Sequence, residues 1–322
     1  MEHTADVSWS ALDTRVYNTS VGAGEVPHDD GWLDHGSQPR AHGMRALPTL
    51  PLGMLHRNAP PILAPWRRGA AEELRKLATF DERSLVHGDQ AIVWNDTVIP
   101  AAATCVAKHR IVSLEQKRTG TVATSETEFI VDGCCLCTSV ASMFLRGGKL
   151  TEFGVSTAAN LRAQRRTNAG VLASLKASQR VAQSKQTSEV RRIELRTAPN
   201  QAALYAINGD DNPIHVDWKV AQAAGFPSPI LHGLCTFGMA VRALLRLAAE
   251  VLNLSPPAVK PVACMTRFSK PVFPGQTLIL EARVASSSPA DVSFQYDVVV
   301  DGVVVCRNGA ATFASSRPTA KL

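Results

Sequence analysis

No stretch of eighteen apolar residues occurs anywhere in the 322-residue chain, so a membrane-spanning helix is not expected. The first ten residues carry Glu2 and Asp6 and hold no apolar core, so they do not read as a secretory signal. Aromatic residues are scarce, 6% of the total, and do not alternate with the basic ones. A basic balance of +6 therefore points to an anionic small ligand ahead of nucleic acid. Metal-ligand spacing is also missing. Cys134-Cys135-x-Cys137 is the one dense cysteine cluster, and no second CxxC or nearby HxxxH completes four ligands. It sits in a strand-like run where cysteine packs as a small hydrophobe.

What is present supports a folded protein. Hydrophobic residues make up 45% of the chain, enough for a packed core in one large domain or two ordinary ones. The seven cysteines are an odd number, which fits free thiols in a reducing compartment. The chain ends in Ala320-Lys321-Leu322, a variant of the Ser-Lys-Leu peroxisomal address, so an import receptor and a microbody location are expected.

Two stretches resemble each other. Leu85-Val86-His87-Gly88 precedes strand-like runs that meet at Asp132-Gly133, and Ile230-Leu231-His232-Gly233 precedes runs that meet at Asp301-Gly302. Each Asp-Gly lies between β-rich segments, which is a hairpin signal. The pattern reads as a duplicated unit, a His-Gly element followed by antiparallel strands. In the second copy, Leu234, Phe237, Val241, Leu244, Leu245, Ala248 and Leu252 recur at helical spacing, giving a long helix with one wide apolar face. Strands are expected over Val262–Phe268, Gln276–Ala285, Val292–Val300 and Val303–Phe313, after a break at Pro256-Pro257. A sheet wrapped on a long helix is the hot-dog arrangement. The expected fold is thus α+β, a double hot-dog of two antiparallel sheets, each wrapped on a helix. Its halves are 1–153 and 189–322, joined by a linker over 154–188 that is poor in apolar residues. Residues 23–45 read as a loop.

The most informative segment is an apolar run, expected as a strand, that enters Gly209-Asp210-Asp211-Asn212-Pro213-Ile214-His215. Gly209 permits a sharp turn and Pro213 is suited to open a helix. Asp210 and His215 are then displayed from one stiff loop, where a carboxylate and an imidazole can share one water. Taken alone, Asp-x-Asn-Pro is more often a helix cap. Here it is followed by Pro227-x-Pro229-Ile230-Leu231-His232-Gly233.

With Tyr205 upstream, this pattern closely resembles the motif of MaoC-like (R)-specific 2-enoyl-CoA hydratases, departing mildly at Ile207 and at Asn208, where Ser or Thr is usual. Val21-Gly22-Ala23-Gly24, Leu47-Pro48-Thr49, Leu85 to Gln90 and Arg267 to Leu278 look like further landmarks in their usual order, so the resemblance covers nearly the whole chain. It implies reversible hydration of trans-2-enoyl-CoA to (3R)-3-hydroxyacyl-CoA in fatty acid β-oxidation, with no cofactor or metal, an acyl-CoA partner and a homodimer. It implies Asp210 as base and His215 as its partner on the water. Asp211 is set aside because the family position directly follows the glycine. Asn212 is expected to brace the loop, and the backbone N–H of Gly233 to hold the enolate oxygen that forms. The plain alternative for Gly233 is a turn glycine, and for His232 a satisfied buried histidine.

The first copy has no such loop upstream of His87 and Gly88. It is expected to house the acyl tail without taking part in the chemistry, with His87 and Gly88 touching the ligand. Lys117 and Arg267 are candidates for CoA phosphates, or else solvated surface charges. Two other classes compete: a hot-dog acyl-CoA thioesterase, and a non-catalytic acyl-CoA-binding scaffold.

Overall fold

A computed structural model of the chain describes residues 2–23, 45–58, 71–81, 85–95, 98–164 and 189–316. The first half contains β1 (Glu2–Trp9), α1 (Ala11–Ser20), α2 (Leu50–Leu55), α3 (Ala71–Leu77), β2 (Ala78–Thr79), β3 (Leu85–Trp94), β4 (Ala103–Lys117), β5 (Gly120–Val131), β6 (Cys134–Arg146), β7 (Lys149–Leu150) and α4 (Glu152–Gln164). The second contains β8 (Arg191–Arg196), α5 (Gln201–Ala206), α6 (Trp218–Ala223), α7 (Gly233–Val251), β9 (Val259–Phe268), β10 (Thr277–Ser287), β11 (Asp291–Val300) and β12 (Val303–Ser315).

The internal repeat is visible in the strand order. Ten antiparallel strands run β1-β4-β5-β6-β3-β9-β12-β11-β10-β8, and the second five repeat the first five in reverse. The two expected sheets are therefore one, joined where β3 pairs with β9 from Asp89–Arg267 to Val93–Ala263. Both Asp-Gly hairpins form two-residue turns with left-handed backbone: φ is 49° and 77° at Asp132 and Gly133, and 48° and 78° at Asp301 and Gly302. Such turns match the twist of the strands they join. Charged side chains on the outermost strands, Glu2 and Asp6 on β1 and Arg191, Arg192 and Arg196 on β8, discourage pairing with a further strand.

The long helix α7 lies over the second half of the sheet. It is buried on nearly every side from Leu234 to Ala249, and the end of α1 packs on its first turns at Cys235 and Gly238. Gly238 allows this: a Cβ there would stand 2.8 Å from Val21 and 3.0 Å from the Tyr17 hydroxyl. Among the described residues the first half has no helix of this length in the equivalent place, only the short α2 and α3.

Two sequence expectations are corrected. His87-Gly88 does not correspond to His232-Gly233. The former lies within β3, whose positional counterpart is β9, whereas His232 is the N-cap of α7. Gly88 marks a bulge in β3, where the register against β6 slips between His87 and Asp89. The run before the Gly-Asp loop is a helix and not a strand, since Gln201-Ala202-Ala203-Leu204-Tyr205-Ala206 is rich in strong helix formers. Part of the expected linker, up to Gln164, belongs to α4. Residues 165–188, 24–44 and the terminal Ala320-Lys321-Leu322 lie outside the described residues. Among the described residues no helix is long and apolar enough to cross a membrane.

Candidate active site

The loop after α5 is anchored at its root. Asn208 is fully buried and its amide donates to the Ser20 hydroxyl at 2.9 Å and to the Tyr205 carbonyl at 2.8 Å. Its own carbonyl accepts from Arg57 Nε at 3.1 Å, and Arg57 Nη2 holds Asp13 at 2.6 Å. Gly209 then turns with φ at +119°, and a Cβ there would meet Arg57 Cγ at 2.4 Å. Only glycine satisfies both the turn and that contact.

Asp210 follows, 7% exposed, with Oδ1 accepting the Asn212 N–H at 3.2 Å. The Asn212 side chain accepts the Ile214 N–H at 3.3 Å and caps a short 3-10 turn, Pro213–His215. His215 ends that turn. Its Nδ1 donates to the Ile230 carbonyl at 2.8 Å, which leaves Nε2 as the acceptor nitrogen of the neutral ring.

Three imidazoles surround the carboxylate. His232 Nε2 and His56 Nε2 each lie 3.9 Å from Asp210 Oδ2. The His232 ring stacks on His215, centroids 3.7 Å apart and planes 26° from parallel, and its other neighbour is Tyr205 at 4.9 Å. Among the described residues neither ring nitrogen of His232 makes a hydrogen bond of good geometry, although the residue is 1% exposed and the Asp210 backbone lies beside it. It is buried, as the plain alternative has it, but its ring nitrogens are poorly satisfied.

Burial alone would raise the Asp210 carboxyl. The surrounding His56, His232 and His215 and the Asn212 N–H outweigh it and hold the group below its ordinary value. Burial pulls His215 down, against the opposing pull of Asp210 and the Ile230 carbonyl. Burial and the neighbouring His215 push His232 well below the usual imidazole range. Near neutral pH Asp210 is thus a carboxylate, and His215 and His232 are neutral bases beside it.

Gly233 opens α7 directly after His232, where backbone N–H groups of the first helical turn lack intrahelical acceptors. Phe268 of β9 packs against it, with ring atoms 3.2–3.3 Å from where a Cβ would stand. On its other side Phe268 meets the His87 ring edge-on at 4.9 Å. His87 is pushed down to about 4, by burial first and then by His56. Gly88 does not reach this cluster through a side chain. It leaves room for Ser142, whose hydroxyl accepts the Asp89 N–H and donates to Asp89 Oδ2.

The two cation candidates are elsewhere. Arg267 is exposed on β9, opposite Asp89 on β3 and Arg307 on β12. Lys117 ends β4 and pairs with Glu115 at 2.7 Å. Three strand steps separate β4 from β3, roughly 14 Å, so Lys117 is not gathered with the other residues. His56 and Arg57 were not flagged by the sequence. Arg57 and Asn208 are 151 residues apart, and only the packing of one half on the other brings them together.

Asp210, His215 and His232 are of metal-ligand type, with ligand atoms within 4.8 Å of one another. The stacking makes this a poor cage, because an ion between the two rings lies out of both ring planes, away from the lone pairs that would bind it. The set suits a water better: a carboxylate and an acceptor nitrogen facing one small molecule, with backbone donors at a helix start nearby.

Known proteins resemble this chain in sequence and fold. The family model for a MaoC-like domain matches residues 180–304, and that for the MFE-2 hydratase 2 N-terminal domain matches residues 8–147. The chain is 34% identical over 205 residues to "Enoyl-CoA hydratase 2, peroxisomal" of Arabidopsis thaliana, a match covering 63% of this chain and 60% of that protein. It is 30% identical to "3-hydroxyacyl-thioester dehydratase Y" of Mycobacterium tuberculosis over 95% of this chain and 93% of that one. A MaoC-like dehydratase from Phytophthora capsici superposes with a TM-score of 0.72 at 21% identity, covering 98% of this chain and 95% of that one. Matched in both halves by these models, and nearly end to end by a relative, the chain belongs to the MaoC-like family in its two-part hydratase 2 form.

Proposed function

We propose that the protein hydrates trans-2-enoyl-CoA thioesters reversibly to (3R)-3-hydroxyacyl-CoA, as a step of fatty acid β-oxidation. The observation that carries this reading is the pairing of Asp210, held as a carboxylate, with His215, whose Nδ1–H is fixed to the Ile230 carbonyl. Both present acceptors to one water. As the water oxygen bonds to C3, Asp210 takes one of its protons. The π electrons move toward the thioester carbonyl, and the oxyanion is stabilised by the Gly233 N–H at the start of α7. C2 then receives the proton, so the site ends as it began. The addition is redox-neutral and draws on no cofactor.

The first half is assigned the acyl tail, and Arg267 and Lys117 the CoA phosphates. A homodimer and a peroxisomal location are part of the same proposal. Support for the location is a relative named as peroxisomal.

Product analysis tests the activity. Hydration removes the enone absorbance without releasing thiol, and chiral separation gives the 3R alcohol. Release of free CoA thiol would instead mark a thioesterase, and binding without turnover an acyl-CoA scaffold.

A further inference from the structure

We propose that His56, contributed by the first half, is a third group on the reacting water. This rests on the hydratase reading of Asp210 and His215 and extends it. The expectation of a first half outside the chemistry would then be replaced by an active site built across both halves.

Geometry supports it in three ways. His56 Nε2 stands 3.9 Å from Asp210 Oδ2, and the ring is 12% exposed. That separation is too long for a direct hydrogen bond and fits one bridging water at about 2.8 Å from each atom. The segment is also held rigidly against the loop it serves. Arg57, the next residue, is clamped between the Asn208 carbonyl and Asp13, and its side chain fills the space a Cβ at Gly209 would need.

The valences of the water also leave a place for His56. Asp210 and His215 Nε2 are both acceptors, so they use both protons of the water. Of its two lone pairs, one must face C3 of the substrate. The other is free to accept an N–H, which would fix the direction of attack. His232 is badly placed to donate it. The two rings are stacked with their planes 26° apart, so a water in the plane of His215, bonded to its Nε2, lies over the face side of His232 and out of line with its N–H. His56, approaching Asp210 Oδ2 from the other half, remains, with its proton on Nε2.

The test compares His56→Gln, which keeps an N–H donor near the Nε2 position, with His56→Met, which fills the space without one. Asp210→Asn and the double variant Asp210→Asn/His56→Met complete the set. We expect His56→Met to lower kcat by about tenfold or more at nearly constant KM, and His56→Gln to recover most of that loss. The double variant should be no slower than Asp210→Asn, because both groups act on one water. A His56→Met kcat within about twofold of wild type, a Gln variant as slow as the Met variant, or a multiplied loss in the double variant would each overturn the proposal. If Asp210→Asn itself stayed fully active, the hydratase reading would be at fault, a result separable from the His56 outcomes.

Discussion

His215 and His232 stack face to face, with centroids 3.7 Å apart and planes 26° from parallel. His232 is in turn covered by Tyr205. The His215 imidazole is thus fixed at one edge by the Ile230 carbonyl and across one face by a second ring.

Replacing that second ring separates its shape from its polarity. His232→Phe keeps a flat partner for His215, whereas His232→Ala leaves a void. The account expects kcat to fall clearly further in the alanine variant. It also expects the phenylalanine variant to unfold at higher urea, since two buried nitrogens that lack well-formed hydrogen bonds are removed. Equal kcat losses in both variants would show that stacking is not what positions His215.

Gly209→Ala should damage fold and activity together. The new Cβ collides with Arg57 at 2.4 Å and must adopt a φ of +119°, so a loss of about 2 kcal/mol or more is expected. Chemical denaturation and kcat measured on the same preparation check this. An alanine variant as stable as wild type would mean that Arg57 does not brace the loop.

Acid should weaken the fold before it protonates the carboxylates. Burial lowers His87 to about 4 and His109 to about 4, from an ordinary 6.5. Between those values the unfolded chain binds protons that the folded chain refuses, so stability rises with pH there and is lost as pH falls from 6.5 toward 4. The gap amounts to about 3 kcal/mol per histidine as an upper estimate. His109 lies away from the active site, bonded to Thr127 at 2.9 Å and with His3 on the adjoining β1 as a further titratable neighbour. His109→Gln should therefore flatten the urea midpoint against pH without altering kcat. A profile as steep as that of wild type would contradict the assignment.

The parts of the molecule read directly from sequence are those written in continuous stretches. The Gly209–His215 loop needs no distant partner to be recognised, and the 3.6-residue repeat marks α7 from end to end. Both Asp-Gly hairpins follow from a turn that needs left-handed backbone. Errors arose where similar letters serve different backbones. His87-Gly88 is a strand bulge and His232-Gly233 a helix start, and nothing within the four residues distinguishes them. The run up to Ile207 is ambiguous because Leu204, Tyr205 and Ile207 suit a strand, while Ala202, Ala203 and Ala206 favour the helix that forms. His56 is not legible in the sequence because it meets Asp210 only once the two halves dock.

The central claim is that Asp210 and His215 together activate the water. Asp210→Asn keeps size and shape, and His215→Ala removes the second acceptor. Their kcat on a trans-2-enoyl-CoA, measured beside circular dichroism to confirm folding, tests the claim most directly. The account predicts a loss of several orders of magnitude in each variant. A folded variant of either kind retaining more than about a tenth of wild-type kcat, a barrier change under about 1.4 kcal/mol, would contradict it.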